Sequence, residues 1–147
     1  MSKEKKQKSA EKAKLSAEVR GLREKLLAQQ QPLRAKGLPV IVLVEGWAAA
    51  GKGSLINELI SGIDPRFYNV VSPTVVPEAE ARYPFLYQYA GAIPENGKIM
   101  FYDSGWMEDV VRKYMRREIT KAQYKARVRT VNEFERQLRD GGYLILK

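Results

Sequence analysis

An α/β fold, with a parallel sheet held between helices, is what this 147-residue sequence predicts, and three observations predict it. Short apolar runs at 39–45, 67–71, 98–103 and 143–146 alternate with longer stretches of helical periodicity, the pattern of a parallel sheet wrapped by its own crossovers. The first run leads directly into Gly46-Trp47-Ala48-Ala49-Ala50-Gly51-Lys52, a Gly-x4-Gly-Lys loop between a strand and a helix. A later run, Ile99-Met100-Phe101-Tyr102, ends in the acid Asp103. Together they predict a P-loop kinase-type three-layer sandwich at 38–147, preceded by an N-terminal helix.

Residues 1–14 carry six Lys and two Glu with nothing to bury, and read as a basic flexible tail or a frayed helix start. From Leu15 the apolar residues Leu15, Val19, Leu22 and Leu26 fall at 4-3-4 spacing, a narrow amphipathic helix over 15–31. Such a stripe packs on its own domain or on a partner subunit, with a membrane-surface helix as the alternative. Gln31-Pro32 ends the helix, and Gly37-Leu38-Pro39 opens the first strand, which is apolar on both faces as a buried parallel strand must be. The loop passes into a helix over 52–61, stopped by Gly62. Asp64-Pro65-Arg66 turns the chain into a second short strand over 67–71. The two prolines of 72–77 make a loop, and 77–89 reads as a helix interrupted at Pro84. Its aromatics, Tyr83, Phe85, Tyr87 and Tyr89, predict core packing, with a nucleobase-stacking face as the alternative. A turn at 92–97, the strand ending in Asp103, helices over 106–118 and 121–139, a Gly141-Gly142 turn and a final buried strand complete the chain. The sequence stops at Lys147, directly after that strand, so a fragment or the front half of a longer protein is expected.

Composition narrows the chemistry. With no cysteine and no histidine, disulfides, thiol catalysis, Ser-His chemistry and His-ligated metals are excluded. Any catalysis must rest on carboxylates, Lys, Arg, backbone amides and a bound metal. Phosphoryl transfer suits that inventory, because it is mostly positioning and charge neutralisation. No apolar run approaches the roughly 20 residues that cross a bilayer, and the Lys-rich start has no apolar core behind it, so a cytoplasmic protein without a membrane partner is expected. The net charge of +9, from 26 Lys+Arg against 17 Asp+Glu, calls for polyanionic partners such as nucleic acid, inorganic polyphosphate or an acidic membrane surface.

The glycine loop supplies the sharpest expectation. Its backbone N–H groups converge on an anion while the following helix directs its positive N-terminus at the same point. Gly46, Ala50, Gly51, Lys52, Gly53 and Ser54 are therefore the expected phosphate- and nucleotide-binding residues, with Lys52 reaching the outer phosphates as a mobile charge. The hydroxyl follows one place late, giving Gly51-Lys52-Gly53-Ser54, nearer the small-molecule kinase form of the loop than the GTPase form. An acid at the carboxyl end of a neighbouring strand is where a P-loop enzyme holds magnesium, directly or through water, which assigns Asp103 to the metal and, with Lys52, to catalysis. An ordinary exposed Asp at a strand-end turn is the alternative. The loop, residues 72–78 and Asp103 should meet at the carboxyl edge of the sheet.

Taken in order, five blocks resemble the polyphosphate kinase 2 family from about Leu22 to Lys147: Glu45 to Gly53; Pro73-Thr74 with Glu78; Arg82 to Leu86; Phe101 to Met107; and Asn132 to Leu138 with its following glycine. The resemblance is nearest to the first of two fused kinase-like domains in bacterial polyphosphate:AMP phosphotransferases. It implies transfer of a phosphoryl group between inorganic polyphosphate and an adenine nucleotide, AMP or ADP, with Mg2+. Lys52 and Asp103 would be catalytic, and Arg112, Arg116 and Arg117 are the candidates to contact polyphosphate. It also implies a homo-oligomer or a fusion to a second kinase-like domain. Two positions depart from the family pattern. Ala48 stands where the family's loop carries Asp, and Asp103-Ser104-Gly105-Trp106-Met107 stands where the family reads Asp-Arg-Ser-Trp-Tyr. A catalytically weakened domain that scaffolds or dimerises beside an active kinase domain is thus the competing expectation. A basic nucleic-acid module is the third, and no nucleic-acid motif accompanies it.

Overall fold

The Val-Ile-Val-Leu-Val run forms β1 (Val40–Val44), with Val40, Ile41, Leu43 and Val44 buried, in a computed structural model that describes residues 3–73 and 82–147. Among the described residues the sheet has the strand order β2-β3-β1-β4, with β2 at Tyr68–Val71, β3 at Ile99–Asp103 and β4 at Leu144–Leu146. Every pairing is parallel, which demands crossovers over the faces. The register sets Val40 opposite Ile99 and Val44 opposite Asp103, so the acid ends its strand beside the point where β1 gives way to the glycine loop. From β1 the chain crosses to β2 at one edge, and from β3 it crosses to β4 at the other. The crevice between β1 and β3 is therefore the switch point at which α/β sheets place ligands.

Residues 1–32 and 33–147 form separate compact units. The first is dominated by α1 (Lys3–Ala28), so the flexible tail expected over 1–14 is corrected: the helix begins at Lys3. Ala, Lys, Glu and Gln dominate this stretch and are strong helix formers even with nothing to bury. Leu15, Val19 and Leu22 of the expected stripe are exposed in the monomer. A second helix, α2 (Gln30–Ala35), runs past the stop expected at Pro32, because that proline lies in the first turn, where a missing N–H costs no helical bond. No helix of the described residues is long and apolar enough to cross a membrane.

In the second unit, α3 (Lys52–Ile60) follows the glycine loop, and Gly62, at φ 91, takes the left-handed turn that stops it, as expected. Of the helix expected over 77–89, residues 77–81, with Glu78, lie outside the described residues; in the described part Arg82–Leu86 make turns around Pro84 and α4 (Tyr87–Ala90) is the helical segment. Two longer helices, α5 (Trp106–Met115) and α6 (Lys121–Asp140), join β3 to β4. The first stops three residues before the expected end because Arg117 turns left-handed at φ 59. The second opens on a complete capping box between Thr120 and Gln123.

The core is aromatic where these helices meet the sheet. Trp106 is fully buried and meets Tyr89, Tyr102 and Phe134 edge-on at centroid separations of 5.7, 5.6 and 5.4 Å. Its indole N–H donates to Glu135 Oε1 at 2.8 Å, and Lys147 Nζ lies 2.7 Å from the same carboxylate, tying α5, α6 and the residue after β4 together. The Tyr102 hydroxyl donates to the carbonyls of Tyr89 and Ala92, at 3.1 and 2.9 Å. Burial pushes the Tyr102 phenol well above its usual range, and burial together with the charge of Asp109 does the same to Tyr89. Tyr89 and Phe85 thus belong to the core and its margin, while Tyr83 and Tyr87 stack on each other at 4.3 Å with both rings exposed.

Candidate functional site

Between β1 and α3 the chain must reverse within a few residues. Two left-handed positions make that possible, Ala49 at φ 61 and Gly51 at φ 85. The Ala50 N–H donates to the Trp47 carbonyl at 3.2 Å and closes the turn. Gly51 then caps α3 with no side chain, and the first turn of α3 carries no acid, so its amide donors and its positive end face outward unneutralised. Beside them lies a cavity of about 440 Å3, lined by Ala49, Ala50, Gly51, Lys52, Gly53 and Ser54 of the loop and α3, and by Ser72, Asp103 and Ser104 at the ends of β2 and β3.

Lys52 does not extend into solvent. Its Nζ donates to the Gly46 carbonyl at 2.8 Å and the Trp47 carbonyl at 3.3 Å, and pairs with Glu108 Oε1 at 3.4 Å. The other oxygen of Glu108 accepts from the Gly46 N–H at 3.1 Å. Glu108 stands in the first turn of α5, and the opposite contact is made from the loop side. Glu45 Oε1 accepts from the backbone N–H groups of Met107 and Glu108, each at 3.1 Å. Each carboxylate thus binds the backbone of the other's segment. Glu45 supplies the cap that Gly105, the N-cap residue of α5, lacks a side chain to provide. Glycine leaves room for that contact: a Cβ at 105 would sit 2.4 Å from Glu45 Oε1 and would force the carboxylate to move. The Ser104 N–H donates to the Val44 carbonyl at 3.1 Å, carrying the β1–β3 pairing one residue past Asp103, and Ser104 adopts φ 74 to make the turn into α5.

The structure therefore gathers Ala50, Gly51, Lys52, Gly53, Ser54 and Asp103 around one cavity. Two of the expected amide donors are engaged elsewhere: that of Gly46 by Glu108 and that of Ala50 by Trp47, and Gly46 is not among the lining residues. Arg112, Arg116 and Arg117 are not brought to the cavity either. Arg112 lies in the last turn of α5, about 9 Å along the helix from Trp106 at 1.5 Å per residue, and Arg116 and Arg117 follow its last residue, Met115. Arg112 and Lys113 both pair with Asp109, which is buried, at 2.8 and 3.0 Å. Arg116 lies 4.0 Å from Glu118. Glu45 and Glu108 were given no role by sequence reasoning. The available signal was an acid immediately before the loop and another in the first turn of a helix beginning at the same sheet edge.

Among the described residues no group of three or more acids, His or Cys could hold a metal by itself. Magnesium, however, is commonly bound by one or two carboxylates together with substrate phosphates. Asp103 and the Ser54 hydroxyl line the same cavity and fit a cation that arrives with phosphate.

Comparison with known proteins bears on the family and the fold. Residues 4–147 match the family model described as Polyphosphate kinase 2. The chain is 30% identical over 114 residues to a polyphosphate:AMP phosphotransferase of Pseudomonas syringae pv. tomato, an alignment covering 78% of this chain and 23% of that protein. It is 29% identical to an AMP/ADP-polyphosphate phosphotransferase of Meiothermus ruber, covering 86% of this chain and 48% of the relative. Its fold superposes on the crystal structure of polyphosphate kinase 2 from Arthrobacter aurescens TC1 with a TM-score of 0.83 at 22% identity, over 88% of this chain and 47% of that one. The chain thus spans from about a quarter to about half the length of these proteins.

Proposed function

The chain belongs to the polyphosphate kinase 2 family, and from that premise we propose that it carries the phosphate-binding part of a phosphotransferase moving a phosphoryl group between inorganic polyphosphate and AMP or ADP. The observation that carries this reading is the register of Val44 with Asp103, which sets the acid beside the glycine loop on one cavity. In this reading the free N–H groups at the start of α3 hold a phosphate, and Lys52 leaves the Gly46 and Trp47 carbonyls to meet the outer phosphates. Asp103 and Ser54 hold Mg2+, which supplies charge neutralisation at the transferring group. Arg112, Arg116 and Arg117 meet the anionic chain where it extends beyond the cavity. We assign the reaction to the cytoplasm, and the assembly to a homo-oligomer or a fusion with a second kinase-like domain.

A second reading is favoured by a specific observation. Ala48 puts a methyl group in the loop, and Ser104 puts a hydroxyl beside Asp103, where the family resemblance implies an acid and an arginine. On that reading the domain keeps the fold and the anion site while scaffolding an active partner. Turnover of polyphosphate with AMP or ADP in the presence of Mg2+, measured for the chain and for Lys52→Ala, separates the two. The first reading expects turnover that falls by about 10²–10³-fold in the variant, the usual effect of removing one transition-state charge contact. Turnover indifferent to Lys52→Ala overturns it, and a folded chain with no turnover leaves the scaffolding reading.

A further inference from the structure

We infer that Glu108 is an internal competitor for the phosphate loop: it holds Lys52 in a retracted position and thereby sets the affinity of the site for polyanions. The inference rests on the phosphate-binding reading above and adds to it a residue that determines affinity.

The geometry is specific. The carboxylate of Glu108 occupies the loop through both oxygens, accepting from the Gly46 N–H at 3.1 Å and pairing with Lys52 Nζ at 3.4 Å. Both side chains are largely withdrawn from water, at 14% exposure for Lys52 and 17% for Glu108, so the pair is screened less than a surface pair. The remaining donors of Lys52 are satisfied by the Gly46 and Trp47 carbonyls. A lysine with this set of partners has no donor directed at the cavity, although it lines it. An incoming phosphate must take Lys52 from a carboxylate that is itself anchored, because the Glu108 backbone N–H is held by Glu45. The two states, Lys52 on Glu108 and Lys52 on phosphate, exclude each other. A site whose competent state is only fractionally populated binds more weakly by that fraction.

A merely structural Glu108 predicts the opposite sign. If the contact only braced the loop, removing its charge would loosen the loop and weaken binding. If it competes, removing the charge strengthens binding. Glu108→Gln separates these, because the amide oxygen still accepts from the Gly46 N–H while the negative charge facing Lys52 is gone.

The experiment titrates inorganic triphosphate into the chain and follows Trp47, which is 74% exposed within the loop, against the constant background of the fully buried Trp106. Proteins compared are the wild-type chain, Glu108→Gln, Glu108→Ala, Lys52→Ala and the Glu108→Gln/Lys52→Ala pair, each checked by thermal melting. Both Glu108 variants are expected to bind about tenfold tighter than wild type, a decade being about 1.4 kcal/mol. The gain should disappear in the pair with Lys52→Ala. Equal or weaker binding by a folded Glu108 variant overturns the competition while leaving the phosphate site intact, provided Lys52→Ala still loses affinity. Failure of both Glu108 variants to fold shows the contact to be structural and overturns it as well. If wild type and every variant ignore triphosphate, the phosphate-binding reading fails and this inference fails with it.

Discussion

Gly105→Ala tests the clasp at the mouth of the site. The added methyl would lie 2.4 Å from Glu45 Oε1 and 3.1 and 3.2 Å from the next two atoms of that side chain. The backbone at 105 is extended, at φ −87 and ψ −178, so alanine meets no conformational penalty and the effect comes from the collision alone. Glu45 must swing away, and its carboxylate then releases the N–H groups of Met107 and Glu108. Loss of a helix N-cap costs about 1 kcal/mol, and loss of a negative charge at a helix N-terminus about 0.3–1 kcal/mol more. The expected destabilisation is therefore about 1.3–2 kcal/mol, or roughly 5–10 °C in Tm for a unit of this size.

A double-mutant cycle with Glu45→Ala makes the expectation specific. Glu45→Ala alone should cost a similar amount, since the same two donors lose the same partner. In the Glu45→Ala background, Gly105→Ala has nothing left to displace and should be close to neutral, with a coupling of about 1–2 kcal/mol. Denaturant unfolding of the four proteins measures it. If Gly105→Ala costs the same with and without Glu45, or leaves the midpoint unchanged in the wild-type background, the assignment of Glu45 as the cap of α5 is wrong.

Two further expectations follow from individual contacts. Arg66 holds the Asp64 carboxyl at about 2, from an ordinary value of 3.8, through side-chain and backbone hydrogen bonds; a depressed carboxylate stabilises above the unfolded value and loses that contribution as pH falls toward 2, so acid titration of Asp64→Asn should show a shallower loss of stability between those values, and identical acid profiles would refute the pairing. Trp106→Phe removes the indole N–H that donates to Glu135 along with part of the edge-on packing around Trp106; a loss of about 2–4 kcal/mol is expected from denaturant midpoints, and a loss under about 1 kcal/mol would show the aromatic cluster to be peripheral.

Local rules made much of the second unit legible. β1 and β3 are dense apolar runs that can satisfy their backbones and bury both faces only in the centre of a parallel sheet, and they occupy that centre. Lys52 and Asp103 were located because strand, glycine loop and strand-end acid each carry their own pattern, and parallel pairing leaves the two carboxyl ends side by side. What escaped depends on contacts between segments far apart in sequence. Glu45 and Glu108 are separated by 63 residues, and neither changes the local pattern in which it sits. Gly105 stands in the sequence only as a departure from the family pattern, and nothing local shows that another segment's carboxylate lies where its Cβ would be. At the N-terminus the error ran the other way: residues 3–14 lack an apolar face, and intrinsic propensity alone carries the helix through them.

The charges at the sheet edge bear directly on what the domain does. Glu45, Asp103 and Glu108 all emerge where β1 and β3 end, but their partners give them different work. Glu45 is committed to the backbone of α5 and Glu108 to the loop and its lysine, so Asp103 is the carboxylate that the cavity lining contains. On the positive side, Lys52 is the one cation among the described lining residues, and Glu108 neutralises it. On the proposed function, a site that gathers several phosphate charges is thus short of positive charge at its centre. The basic residues in the last turn of α5 are partly balanced by the buried Asp109, which holds both Arg112 and Lys113. Phosphoryl transfer depends on neutralising charge at the moment of transfer more than on any proton transfer. On the proposed function the serine at 104 therefore matters more than its size suggests: with a hydroxyl beside Asp103, the compensating charge would have to come from a bound cation, from release of Lys52, or from arginines outside the cavity. Of these, release of Lys52 is the contribution that this chain's own described contacts already control.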